Sequence, residues 1–131
     1  MNTYSLASLC LLVVALLPYL ATLIAKWGRR DFNNHDPRTW LATLEGFRKR
    51  ANAAQMNAFE AQASFYAAVI LNLVVGTAAS SVNTWALVFV AMRVLHLAFY
   101  LTDRAMLRSL AFLGGLSSVV ALFVTALVHV K

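Results

Sequence analysis

Four long apolar runs with only two strong charges among them constrain this chain more than any other feature. The runs are Leu6–Ala25, Ala61–Ala79, Thr84–Leu101 and Leu107–Val130, and Arg93 and Arg108, the latter at the very start of the last run, are the only Lys, Arg, Asp or Glu inside them. The hydrocarbon core of a bilayer, about 30 Å thick, needs about 20 apolar residues on a helix. Backbone groups in lipid must bond within their own segment, so such runs fold as helices. The expected fold class is all-α: a single four-helix integral membrane bundle over residues 1–131. Its helices are expected at about 4–26, 47–79, 83–102 and 107–130. Pro18 predicts a kink in the first, which neighbouring helices tolerate in a bilayer.

Charge then orients the bundle. Only 12% of residues are charged, about half the usual share of a soluble domain. Lys26, Arg29, Arg30, Arg38, Arg48, Lys49 and Arg50 crowd the first loop, Arg104 and Arg108 the third, and Ser80–Asn83 between helices two and three carries none. The positive-inside rule places loops one and three in the cytoplasm and both termini across the membrane, with Lys131 opposing weakly. No basic segment precedes the first run, so it reads as a retained helix rather than a signal peptide. The net charge of +6 accompanies no nucleic-acid motif, so no nucleic-acid partner is expected.

The first loop, about 27–46, carries its own helix signal. Asp36-Pro37 reads as an N-cap followed by proline at the first helical position. Trp40, Leu41, Leu44 and Phe47 give it an apolar face, as in a short interfacial helix against lipid or protein. Gly46 is expected to break it before the second membrane helix, and Ser80, Ser81 and Asn83 to form the turn between helices two and three.

Polar residues that enter the apolar runs are the candidate site. Arg50, Asn57 and Glu60 share a face of helix two at i, i+7 and i+10; Arg93, His96 and Tyr100 share one of helix three at i, i+3 and i+7. Ionisable groups at membrane depth are costly and face a protein interior or a ligand. Glu60 and Arg93 are expected to pair across adjacent helices. His96 and Tyr100 have acid–base character, or serve as interior packing and an interfacial aromatic anchor. Arg48, Lys49, Arg50, Arg104 and Arg108 set topology and meet lipid headgroups, or form an anion site. Arg108-Ser109 is expected to open helix four, where backbone N–H groups favour anions. Gly114-Gly115 allows close helix packing. Cys10 alone makes neither a disulfide nor a metal site, and His35, His96 and His129 lack metal-ligand spacing, so no metal is expected.

Four membrane helices, a basic first loop, Arg50-x3-Ala54-x2-Asn57-x2-Glu60, Arg93-x2-His96-x3-Tyr100 and Arg108-Ser109 together resemble the membrane-associated proteins in eicosanoid and glutathione metabolism, the MAPEG family, and its short bacterial members in particular. The resemblance spans nearly the whole chain. It implies a homotrimer in the bacterial inner membrane, multi-pass, with glutathione as cosubstrate held between subunits near the cytoplasmic face. The implied chemistry is glutathione transferase or peroxidase-like attack on a hydrophobic small molecule. It implies cofactor-binding roles for Arg50, Asn57, Glu60, Arg93, His96, Tyr100, Arg108 and Ser109, with Arg104 and Arg108 both in position to activate the thiolate. Ala53 and Gln55 stand where the family's enzymes carry Arg and His. Turnover is therefore left open. Two alternatives remain: a non-catalytic membrane protein that binds lipid or a partner, and a small proton-coupled exporter.

Overall fold

The computed structural model describes residues 3–130 and is helical, with elements α1 (Ser5–Lys26), α2 (Pro37–Ala42), α3 (Gly46–Val75), α4 (Ala79–Leu101) and α5 (Ala105–His129). Lys131, which entered the topology reading, lies outside the described residues. Four of these helices, all but α2, are long and apolar enough to cross a membrane. α3 and α4 pack on each other, and each also packs on both α1 and α5, so α1 and α5 flank a central α3–α4 pair. Phe65 and Phe89 stack at 4.0 Å between ring centres in the core, against Val69, Val82 and Leu122. The glycine pair of α5 lies against α4: a Cβ on Gly114 would sit 2.7 Å from the Met92 sulfur, and one on Gly115 3.8 Å from Arg93 Cδ.

Pro18 shapes the α1–α3 contact by what it lacks. It sits inside α1 and has no N–H to donate to the buried Val14 carbonyl one turn back. Gln62 of α3 supplies that donor, Nε2 to Val14 O at 2.8 Å, and Tyr66 reaches Leu11 O at 3.4 Å. An unsatisfied carbonyl in a dry interface costs roughly 1–3 kcal/mol. Gln62→Leu should therefore destabilise the bundle by about 1–2 kcal/mol in a denaturant titration. In a Pro18→Ala background, where the α1 amide is restored, the same change should cost almost nothing. Equal costs in the two backgrounds would show that Gln62 does not serve the proline.

The helix ends differ from the sequence expectation in two places. The turn between the second and third membrane helices is Gly76-Thr77-Ala78, not Ser80–Asn83. Gly76 takes the left-handed conformation (φ 74°) that glycine adopts at no steric cost, and its N–H and that of Thr77 close on Asn72 O. α3 therefore ends at Val75 rather than 79, and α4 begins at Ala79 rather than 83. Asn83, freed from the turn, caps another helix: Oδ1 accepts from Ala7 N–H at 2.9 Å and Nδ2 donates to Thr3 O at 3.0 Å. The Tyr4 hydroxyl donates to Thr77 O beside it. At the other end of the bundle α5 starts at Ala105, two residues before the expected 107.

The first loop folds onto the bundle. Asp36 accepts from Thr39 N–H and Pro37 opens α2. Trp40 and Leu44 are buried against Ala25 and Ala51, so the apolar face of α2 rests on protein where α1 ends and α3 begins. Arg29 and Asp31 pair at 2.5 Å, which holds the Asp31 carboxyl well below the usual carboxylate range. Arg48 donates to Trp27 O at 3.0 Å. Gly46 does not separate the loop from α3 but is its first residue, at φ 59°.

Candidate functional site

Two cavities lie side by side in the groove between α3, α4 and α5. The first, about 240 Å³, is lined by Asn57, Glu60 and Ser64 of α3, by Phe89 and Arg93 of α4, and on α5 by apolar residues from Phe112 to Val119. The second, about 350 Å³, lies nearer the basic end and is lined by His96 and Tyr100 of α4, by Arg108, Ser109 and Phe112 of α5, and again by Asn57. Asn57 and Phe112 thus border both. One space is apolar with a polar mouth, and its neighbour is ringed by hydrogen-bonding and cationic groups.

At the boundary between them a carboxamide stands between two opposite charges. Arg93 is buried to 3% exposure, and its Nη2 donates to Asn57 Oδ1 at 3.0 Å. Asn57 Nδ2 in turn points at Glu60 Oε2 at 3.5 Å. The expected direct Glu60–Arg93 pair is not formed. Among the described residues the ion pairs are Arg29–Asp31 and Arg50–Asp103. Geometry explains the difference: Arg93 sits in the interior while Glu60, on the same face but one turn along, is exposed. Asn57 lies between them and can donate to one and accept from the other.

The aromatic side of the second cavity is ordered by ring contacts. His96 is buried and meets Tyr100 edge-on at 5.0 Å; the Arg108 guanidinium lies 4.4 Å above the Tyr100 ring. A guanidinium over an aromatic face is held electrostatically and keeps its donors free for an anion. Arg108 contributes through this side chain and not through the helix terminus. Its own N–H is already bonded to Arg104 O at 2.9 Å, and Ser109 Oγ donates to Ala105 O, because α5 begins one turn earlier than Arg108-Ser109 implied.

The groove thus brings together Asn57, Glu60, Arg93, His96, Tyr100, Arg108 and Ser109 of the residues singled out in the sequence. It does not include Arg50 or Arg104. Arg50 ties α3 to the α4–α5 turn, donating to Leu101 O at 3.2 Å and lying 3.7 Å from Asp103. Arg104 is exposed at the N-cap of α5. Sequence reasoning missed the apolar wall, Phe89, Phe112, Leu116 and Val119. Phe112, Leu116 and Val119 share a helix face at i, i+4 and i+7, but on a membrane helix that pattern also describes core or lipid contact. No group of three or more His, Cys, Asp or Glu among the described residues is placed to hold a metal.

A MAPEG family model matches residues 6–128. The chain belongs to that family. No curated protein and no solved structure matches it. Membership fits the four helices long and apolar enough to cross a membrane.

Proposed function

We propose that this MAPEG protein binds glutathione, or a similar anionic thiol, in the α3–α4–α5 groove, as a homotrimer in the bacterial inner membrane with both termini periplasmic. One observation carries the reading: two guanidinia, Arg93 and Arg108, line adjoining cavities that share Asn57, and the cavity that Arg93 lines is otherwise walled mostly by apolar side chains. A carboxylate-rich thiol needs cations and amide partners. A hydrophobic electrophile arriving from the bilayer needs apolar walls. The groove offers both, in cavities that share Asn57 and Phe112.

The chemistry consistent with this arrangement is glutathione transfer or peroxide reduction. Arg108 favours loss of the thiol proton by stabilising the thiolate, at about 1.4 kcal/mol per pKa unit. The sulfur electron pair then attacks the electrophilic centre held against Phe112 and Leu116, and the displaced group leaves with the proton. The rival reading, a lipid-binding protein without turnover, draws on the same apolar wall, which suits an acyl chain. Calorimetry separates the two. Purified protein in mild detergent should bind glutathione with a dissociation constant at or below the millimolar range, and S-methylglutathione more weakly than the free thiol. Absence of heat at millimolar glutathione, with the protein intact by native mass spectrometry, would leave the lipid-binding reading. The orientation has its own check. An alkaline phosphatase fused after His129 should be active, since the basic loops retain the other side in the cytoplasm.

A further inference from the structure

The last four carbonyls of α4, Ala98 to Leu101, need partners from outside the helix's own ladder, and the chain beyond them satisfies three. The Thr102 N–H and hydroxyl both reach Ala98 O, at 3.0 and 2.9 Å. Arg104 N–H reaches Phe99 O at 2.9 Å and Asp103 N–H reaches Tyr100 O at 3.2 Å, with Asp103 in the left-handed conformation (φ 58°) that closes such a helix end. The fourth, Leu101 O, takes its partner from another helix: Arg50 Nη2 of α3 donates to it at 3.2 Å. The guanidinium also meets the negative end of the α4 dipole there. The Asp103 carboxylate lies 3.7 Å from Nη1, but it is exposed and adds little; the bond to Leu101 O is the firmer part.

What this cap holds in place is the start of α5. No residue from Thr102 to Leu110 is buried, and the first buried residue of α5 is Ala111. Close packing on α4 comes further along, where Gly114 and Gly115 lie against Met92 and Arg93. Gly114 is roughly 14 Å along the helix axis from Ala105. Over that first stretch Arg108 owes its place to the turn behind it and to the Tyr100 ring in front of it. The two side chains stand on either side of the turn. Tyr100 directly precedes Leu101, and Arg108 follows Arg104 by one helical turn, its N–H bonded to Arg104 O at 2.9 Å. The Arg108 guanidinium then lies 4.4 Å from the centre of the Tyr100 ring.

We propose that Arg50 is a positioning residue: by capping α4 at Leu101 it fixes the α4–α5 turn, and through the turn it sets the Arg108 guanidinium over Tyr100. Arg50 lines neither cavity, so its action on a bound sulfur passes through Arg108. That action rests on the proposed thiol binding, whereas the placement of Arg108 by Arg50 does not.

Fluorine NMR reads the placement without any ligand. 3-Fluorotyrosine in place of Tyr100 senses a cation over its ring, and Arg108→Leu supplies the resonance of the ring without that cation. Arg50→Met should move the wild-type resonance roughly half or more of the way to that value. An unmoved resonance in folded protein overturns the proposal, whatever calorimetry finds for glutathione. If Arg50→Met does not fold, Arg50→Gln, whose uncharged side chain is shorter than that of arginine, is read in its place. With glutathione bound, Arg50→Met should also raise the midpoint of the thiolate titration by about one pH unit. Affinity for S-methylglutathione, which has no thiol proton to lose, should change by less than about threefold. A matched loss of affinity for both ligands would make Arg50 a ligand contact, and a moved fluorine resonance with an unchanged midpoint would uncouple the turn from the sulfur; either overturns the positioning role. Wild-type protein that binds no glutathione removes the thiol reading alone, and the fluorine resonance then decides whether Arg50 places Arg108.

Discussion

Asn57→Leu should destabilise the protein far more than Glu60→Gln, although the glutamate carries the charge. Arg93 is buried, and its hydrogen bond is made to the Asn57 carboxamide. Removing that acceptor leaves a buried guanidinium without its hydrogen-bond partner, a loss of roughly 2–3 kcal/mol. Glu60 is exposed in the chain and meets Asn57 only at 3.5 Å, so converting it to the isosteric amide should cost under about 1 kcal/mol. The double change Asn57→Leu with Arg93→Met removes cation and acceptor together, and replacing both partners by apolar groups is often nearly neutral. Denaturant titration of the wild type, the three single variants (Asn57→Leu, Glu60→Gln, Arg93→Met) and the two doubles that pair Arg93→Met with each of the others should therefore give a strongly non-additive cycle between positions 57 and 93 and a near-additive one between 60 and 93. A larger loss for Glu60→Gln than for Asn57→Leu would restore the direct pairing of Glu60 with Arg93 as the main contact.

That reversal marks how far the sequence was legible. The four spans follow from the absence of charge over lengths that match a bilayer, a constraint strong enough to fix class and element number. Helix ends were less legible where two cues competed. Gly76 and the Ser80–Asn83 group are both turn-like, and only the left-handed backbone at Gly76 together with the cap that Asn83 gives to α1 decides between them. The site's polar members were visible because polar groups at membrane depth are conspicuous. Their partners were not. Helical spacing puts Asn57, Glu60 and Arg93 toward a common region but does not say which of two acceptors the guanidinium reaches first, since that depends on helix rotation within the bundle. The apolar wall was invisible for the opposite reason: Phe112, Leu116 and Val119 look like every other apolar residue of a membrane helix until α3 and α4 enclose them.

Arg108→Leu should abolish thiolate formation while Arg104→Leu leaves it nearly intact. The sequence offered both arginines for this role; the structure separates them by surroundings. Arg108 lines the polar cavity with its guanidinium 4.4 Å over the Tyr100 ring, whereas Arg104 is exposed at the start of α5. A cation acts on a bound sulfur only where water does not screen it, so the exposed arginine contributes little. Stabilising the thiolate lowers the thiol pKa in the complex below its solution value; the thiolate is then populated at neutral pH and lost as pH falls through the lowered pKa. With glutathione bound, the wild-type protein should show thiolate absorbance near 240 nm at neutral pH, and a titration should place its midpoint well below that of free glutathione. Arg108→Leu should return the midpoint to about the free value, a loss of roughly 1.4 kcal/mol for each unit recovered. Calorimetry on the same variant shows whether glutathione still binds; retained binding without thiolate identifies charge stabilisation as the role of Arg108. Thiolate lost in Arg104→Leu and kept in Arg108→Leu would move that role to the exposed arginine, and would mean that the helix α5 terminus closes over the ligand in the assembled protein.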